Sequence, residues 1–471
     1  MNIDDFRRWS RRAADWGVAY RETLRDRPVR AQTRPGDIAR QIGDTPPENP
    51  EAMEAIFADF EKIIVPGMTH WQHPRFFAYF PANAAPVSVV AEYLATAMAA
   101  QCMLWQTSPA ATELETRMMD WLRQALGLPE DFTGVIHDTA SSATFAAVLT
   151  MREKALKWRG NSGGLSAAPK LRIYASAQNH SSVDKAIRMA GIGEDNIVRI
   201  ADEGALRSMR PAALEAAISA DLASGFLPCG IIACAGATGM GAFDSVDGVV
   251  AVARKFGLHV HVDAAWAGSA MICTEFRHLW AGAELADSIV FNPHKWLGAQ
   301  FDCSVYFVRD PHALVKTLAI KPQYLQNTSR DPVHDGEINY SEWSAPLGRR
   351  FRALKLWFLL RAYGLEALRT MIRNHVSWAE GLARKLAATK GFEVVTGPVL
   401  SLFTFRFVGD GCGNIDALNR DLITRINDSG RIYLTQTIID GNFVIRFQVG
   451  GFETSEADVD AAYAAICEMV G

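Results

Sequence analysis

Apolar side chains at Phe6, Trp9, Ala13, Trp16, Tyr20 and Leu24 recur every three or four residues through an arginine-rich stretch, a spacing that predicts an amphipathic helix. Its apolar stripe must be buried against something. The chain that follows, Arg34-Pro35-Gly36 through Pro46-Pro47 to Pro50, is a proline-studded connector. Residues 1–85 are therefore expected to form a helical arm leaning on another body, a second subunit being the natural one in a chain of this size. From 86 to 365 the pattern changes to short β-branched runs separated by helical stretches: Leu171-Arg172-Ile173-Tyr174, Gly230-Ile231-Ile232-Ala233, His259-Val260-His261-Val262, Ser288-Ile289-Val290-Phe291 and Ser304-Val305-Tyr306-Phe307-Val308. Alternating strands and helices predict a mostly parallel sheet, with ligands bound beyond the carboxyl ends of its strands. From 366 to 471 a helical stretch precedes Phe392-Glu393-Val394-Val395, the run Leu402 to Phe407 and the run Phe443 to Phe447, which predicts a small α+β domain. No internal repeat interrupts this order.

Composition narrows the class. The 471 residues are 49% apolar and 21% charged, as in ordinary globular proteins. Forty-eight basic against fifty-two acidic side chains leave a formal charge of −4 with no long basic run, which argues against a nucleic-acid partner. The seven cysteines are scattered and form no CxxC pair, the pattern of a reducing compartment. Met1 to Arg12 is polar, and no stretch of about 18 uninterrupted apolar residues follows, so the expectation is a cytoplasmic protein without a membrane span.

The chemistry gathers where strands end. One run closes as His261-Val262-Asp263-Ala264-Ala265-Trp266, the next as Phe291-Asn292-Pro293-His294-Lys295-Trp296, placing an acid and a lysine one strand–helix–strand unit apart. A lysine among apolar neighbours loses ammonium stability and becomes a nucleophile toward carbonyls, while a carboxylate can hold positive charge at the far end of a flat ligand. Pyridoxal phosphate needs that pair. Seen alone, Lys295 reads as a surface lysine and Asp263 as a helix cap. Thr139-Ala140-Ser141-Ser142-Ala143-Thr144, following Gly134-Val135-Ile136, offers hydroxyls and backbone N–H groups at a helix start for a phosphate, and Ser288 and Asn292 could add donors.

With Pro66-Gly67-Met68-Thr69-His70-Trp71, Phe76-Phe77-Ala78-Tyr79-Phe80-Pro81, Ser108-Pro109-Ala110, Thr112-Glu113-Leu114-Glu115, Asn179-His180-Ser181-Ser182 and Leu347-Gly348-Arg349-Arg350-Phe351-Arg352, these runs resemble the group II pyridoxal-phosphate decarboxylases, and within them the aromatic L-amino acid decarboxylases. The likeness runs nearly end to end. It implies a type I pyridoxal-phosphate fold: α/β, a mostly parallel central sheet flanked by helices, a helical amino-terminal dimerisation arm and a small α+β carboxy-terminal domain. It further implies a homodimer with active sites at the subunit interface. Position by position, it makes Lys295 the Schiff-base lysine, Asp263 the pyridinium partner and His180 the imidazole stacked on the ring. Ala140, Ser141, Ala265, Ser288, Asn292 and His294 complete the implied cofactor set, and Tyr324, in a polar stretch from about 310 to 345, becomes the proton donor. Trp71, Tyr79, Phe80, Pro81, Met103, His294 and Gly348 match the substrate wall, whose natural guest is an aromatic ring.

The resemblance implies amine and carbon dioxide as products. In the related aldehyde synthases phenylalanine replaces the lid tyrosine, and histidine decarboxylases carry serine at the positions of His294 and Gly348. An aminotransferase would need an arginine clamp for a ketoacid, for which Arg349, Arg350 and Arg446 are candidates. His259 and His261 share a strand face with Asp263, which would also suit a metal-dependent hydrolase, although further ligands are not evident and no metal is expected. Several positions depart from the family pattern. Asp138 replaces glycine beside the phosphate loop, which is unfavourable unless its carboxylate turns away or pairs with His137. Cys234, Trp266, Ala82 and Met103 replace threonine, tyrosine, a hydroxyl residue and phenylalanine.

Overall fold

The computed structural model describes residues 1–320, 338–409 and 413–470. Contacts divide the chain into two compact units: Ala82–Ser377 with Pro398–Leu402, and Met1–Pro81 with Trp378–Gly397 and Phe403–Gly471.

The first unit is built on a seven-stranded sheet. Its strands are β1 (Thr133–His137), β2 (Leu171–Ser176), β3 (Ile197–Ile200), β6 (Leu227–Cys234), β7 (His259–Asp263), β8 (Ser288–Phe291) and β9 (Ser304–Val308); a short ladder of β4 (Asp202–Glu203) and β5 (Ser208–Met209) stands apart. The spatial order is β1-β9-β8-β7-β6-β2-β3. Pairing is parallel from β8 through β3, and β9 lies antiparallel between β8 and β1. Every residue of β7, β8 and β9 is buried, as expected where helices cover both faces of a sheet. Helices Ala140–Ala155 and Val246–Phe256 pack along the strands, the second closed by Gly257 in the left-handed conformation. The mostly parallel sheet is thus present, with one antiparallel strand that the β-branched runs did not distinguish.

In the second unit, β10 (Phe392–Val399), β11 (Leu402–Phe407), β12 (Thr435–Ile439) and β13 (Asn442–Gln448) form a sheet ordered β10-β11-β13-β12. Its core includes stacked rings, with Phe77 4.4 Å from Phe447 and Phe403 5.5 Å from Phe447. Phe77 donates its N–H to Tyr433 O at 3.0 Å and accepts from Gln448 N–H at 3.2 Å. Backbone pairing therefore ties the segment around Phe77 to the carboxy-terminal residues. Helix Ile3–Glu22 starts at Asn2, whose side chain accepts the N–H groups of Asp4 and Asp5. Its predicted stripe meets a second helical segment, with Trp9 5.5 Å from Phe57 and Trp16 4.8 Å from Phe60, yet none of its residues is fully buried. Among the described residues, no helix is long and apolar enough to cross a membrane.

Candidate active site

Strands β8, β7, β6 and β2 are neighbours with carboxyl ends on one side, so the residues just beyond them converge. Asp263 closes β7; its Oδ1 accepts the N–H of Ala265 at 3.1 Å, which fixes the carboxylate's orientation. After β8 the chain crosses back onto this end: Asn292 N–H donates to Ala265 O at 2.9 Å, and Ala264 N–H to Val290 O at 2.9 Å. Asn292 is extended, and Pro293, with φ preset for a helix start, opens the single turn Pro293–Trp296 that carries Lys295. Lys295 is half-buried between the buried side chains of His294 and Trp296.

His180 lies four residues beyond β2. Its Nδ1 accepts the N–H of Ser182 at 3.1 Å, so the neutral ring carries its proton on Nε2. The imidazole is held below its ordinary pKa, first by desolvation and also by the Lys295 ammonium, while the carboxylates of Asp263 and Asp184 oppose the shift. One imidazole thus feels both Asp263 and Lys295, placing the three groups in one electrostatic neighbourhood.

At β1 the helix Ala140–Ala155 begins after Thr139, which makes no side-chain cap. The N–H groups of Ala140 and Ser141 therefore remain available to an external acceptor at the positive end of the helix. The Asn292 Oδ1 accepts Ser304 Oγ–H at 2.6 Å, fixing that amide below the loop. Asp138 accepts a long hydrogen bond from Thr139 Oγ1 at 3.4 Å. His137 is engaged elsewhere, its Nε2 lying 3.1 Å from Trp343 O; its Nδ1 makes no hydrogen bond among the described residues, so its pairing with Asp138 is electrostatic only, and burial lowers its pKa to about 4.

Ser288 does not join this group. It is the first residue of β8, level with His261, and its Oγ lies 3.2 Å from His259 Nε2 and 2.9 Å from His261 Nδ1. Its place in the sequence, near the lysine, concealed the fact that a strand separates it from Asn292. His261 Nε2 in turn approaches Thr144 Oγ1 at 3.5 Å, so the two strand histidines belong to a core hydroxyl network. Among the described residues, no cluster of three or more His, Cys, Asp or Glu side chains is suited to holding a metal ion.

The expected substrate residues fall in both units. Within the first, His294 is buried; its Nδ1 accepts Cys303 N–H at 3.0 Å, its ring stands edge-on to Phe301 at 4.9 Å, and desolvation lowers its pKa to about 3. Met103 is half-buried and accepts Ser341 N–H through its carbonyl at 3.0 Å. A Cβ at Gly348 would come within 3.2 Å of Gln101 Nε2. Within the second, Trp71 and Tyr79 are exposed and stacked, centroids 5.8 Å apart at 20°, whereas Phe80 and Pro81 are buried. Tyr324 lies outside the described residues.

Sequence reasoning named Asn179 only as part of a run. Its amide Nδ2 and Oδ1 are buried beside His180 with no hydrogen-bond partner among the described residues. It also missed Asp244, whose carboxylate accepts the N–H groups of Cys234 and Met209 at 2.7 Å each and braces the end of β6. No periodicity marks either position.

Residues 35–408 match the conserved domain of the pyridoxal-dependent decarboxylases. The chain belongs to that family. It is 39% identical over 472 residues to tryptophan decarboxylase 2 of Oryza sativa subsp. japonica, covering 98% of this chain and 94% of the relative. It is 37% identical over 477 residues to phenylacetaldehyde synthase of Arabidopsis thaliana, covering 99% and 96%. A crystal structure of Oryza sativa TDC with PLP and tryptamine superposes with a TM-score of 0.95 at 36% identity, covering 100% of this chain and 98% of that one.

Membership makes this a pyridoxal-phosphate-dependent carboxy-lyase of fold type I, and the residues fit that cofactor. The strand ends supply an uncapped helix start for a phosphate, a carboxylate, an imidazole and a primary amine. Two of the positions expected to depart from the family pattern, Trp266 and Cys234, are buried and packed. Trp266 stacks on Trp296 at 5.1 Å, Trp296 Nε1–H donates to His375 Nδ1 at 2.9 Å, and Cys234 lies 3.6 Å from Ser176 Oγ with its thiol pKa raised by burial.

Proposed function

We propose that the enzyme decarboxylates aromatic L-amino acids, among them tryptophan, tyrosine, phenylalanine and their hydroxylated forms, to arylalkylamines and carbon dioxide. The observation that carries this reading is the common electrostatic neighbourhood of His180, Asp263 and Lys295 at adjoining strand ends. Pyridoxal phosphate, when bound, supplies the electron sink for the bond broken at Cα. Lys295 presents the amine that holds the cofactor aldehyde. Asp263 keeps a proton on the ring nitrogen, its orientation fixed by Ala265. His180, neutral, would cover the ring face, and the amides of Ala140 and Ser141, with Asn292, would hold the phosphate. Ala265 and His294 support the cofactor from the turns after β7 and β8. Trp71, Tyr79, Phe80, Pro81, Met103, His294 and Gly348 shape the substrate's place, and Tyr324 returns a proton to Cα.

An aminotransferase is less well supported because Arg349 is paired with Glu115 and Arg350 with Glu92, each at 2.6 Å, while Arg446 donates to Thr435 Oγ1 at 2.9 Å. The relative named as an aldehyde synthase favours a second reading, aldehyde formation, and the side chain at 324 decides between them. We assign the work to a cytosolic homodimer. Helix Pro86–Ala97 exposes Val89, Val90, Tyr93 and Leu94, an apolar face suited to a second copy. In the other unit, the amino-terminal helix separately exposes Phe6 and Val18.

Incubating the holoenzyme with a panel of aromatic amino acids and detecting products by mass spectrometry tests the reading: amine with carbon dioxide is expected, and ketoacid-dependent turnover would refute it. In Tyr324→Phe, product should shift from amine toward aldehyde and ammonia, with dioxygen consumed. Unchanged amine output would remove the proton-donor role.

A further inference from the structure

At the amino ends of β6, β7 and β8, opposite the Asp263–Lys295 end, lies a cavity of about 600 Å³. His259, the first residue of β7, and Asp287, just before β8, form its floor; Lys154 and Trp158 enter from the end of helix Ala140–Ala155, and Arg254 from the end of helix Val246–Phe256. Val250 and Leu285 give it an apolar side.

Two polar atoms in its lining are buried without a hydrogen-bond partner: Nδ1 of His259, a side chain only 8% exposed, and Nε1 of Trp158. Lys157 and Trp158 both have positive φ, 53° and 58°, an unfavourable pair for side-chain-bearing residues. The indole is held there nonetheless, with Lys316 Nζ 4.0 Å from its ring centre. Arg254 is exposed and its guanidinium has no ion-pair or hydrogen-bond partner among the described residues; Lys154 has only Asp310, at 3.9 Å.

The charges select the ligand. Arg254 and Lys154 call for an anion, Arg309 in the same lining being already paired with Asp131, whereas Asp287 and the negative ends of two helices call for a cation. A simple anion or a simple cation would satisfy half of this set, while a zwitterion satisfies both. The apolar side adds a requirement for a hydrocarbon side chain. We propose that this cavity is a second binding site, for an apolar α-amino acid, its carboxylate on Arg254 and Lys154, its ammonium toward Asp287, and its side chain against Val250 and Leu285.

Calorimetric titration of the holoenzyme with L-leucine, which lacks the aromatic ring required at the catalytic site, tests this in the presence of saturating tryptamine. Saturable binding of about one equivalent per chain is expected. Arg254→Ala and Asp287→Asn should each weaken it about tenfold or more, and so should removal of one ligand charge, in 4-methylpentanoate or 3-methylbutylamine. Arg254 is exposed, and asparagine at 287 retains an oxygen for the Val260 N–H that Asp287 accepts at 2.8 Å, so both variants are expected to fold. Absence of leucine binding at about 10 mM, displacement by tryptamine, or unchanged affinity in both variants would overturn the proposal.

Discussion

The two ends of the central sheet use the same scaffold in opposite ways. At the carboxyl end, Asp263, Asn292 and Lys295 follow directly from β7 and β8, and helix Ala140–Ala155 offers its uncapped start. At the amino end the same helix contributes its last turn, and the cavity is lined by short groups of residues from several separate elements. Between the ends runs the buried series His259, Ser288, His261 and Thr144. Partial positive charge at a helix start favours phosphate, whereas a helix end accompanied by lysine and arginine favours mixed charge. A helix laid along a sheet thus offers two ends to ligands, of which only one is announced here by a contiguous motif.

The largest effect should separate the ends outright. Lys295→Ala is expected to lower kcat at least about 10³-fold, because the amine is the proposed nucleophile, and Asp263→Asn to come close behind. Neither should alter leucine affinity at the opposite end. Rapid-quench turnover and calorimetry on the same preparations would check both, and a Lys295→Ala enzyme with near-normal kcat would break the assignment of chemistry to the carboxyl end.

This contrast also explains what could be read from the chain. Runs such as Asn292-Pro293-His294-Lys295-Trp296 hold their chemistry within a few residues, so strand periodicity plus residue type sufficed to mark Asp263 and Lys295. Ser288 was misjudged because nearness in sequence to Lys295 hides a whole strand length. Asp244 gave no signal, since a carboxylate that braces backbone N–H groups looks like any loop aspartate. Antiparallel β9 was legible as a strand but not in direction, because periodicity records which face a residue occupies and not the sense of the chain. That Phe76 and Phe77 are core residues depends on pairing with Tyr433, more than three hundred residues away, which no local run reveals.

An intermediate effect should come from the histidines inside the sheet. Desolvation lowers the pKa of His137 and His259 to about 4 and of His261 to about 3. Each stays neutral when folded but titrates near 6.5 when unfolded, so the unfolded chain binds more protons in between. Their contribution is fully present above pH 6.5 and is lost as pH falls toward 4 and 3. Between pH 7 and 5 the loss should be about 2 kcal/mol for each histidine, measured by denaturant unfolding at the two pH values. Stability that stays flat over this range would show that the interior between the two ends is wetter than its burial indicates.

The smallest effect is the most selective, and it concerns only the carboxyl end. Gly348 lies against Gln101, whose Oε1 accepts the Arg349 N–H at 2.7 Å and whose Nε2 would stand 3.2 Å from an added Cβ. In Gly348→Ser that amide must give by a few tenths of an ångström, and, with Gly348 in the substrate wall as proposed, the hydroxymethyl group takes up depth there. A two-ring indole should suffer more than a single phenol, so the tryptophan-to-tyrosine ratio of kcat/KM is expected to fall about tenfold, the order associated with one methylene in a binding pocket. Leucine affinity at the amino end should not change. A ratio equal to wild type would mean that ring size is read elsewhere, with the exposed Trp71–Tyr79 stack the next surface to alter.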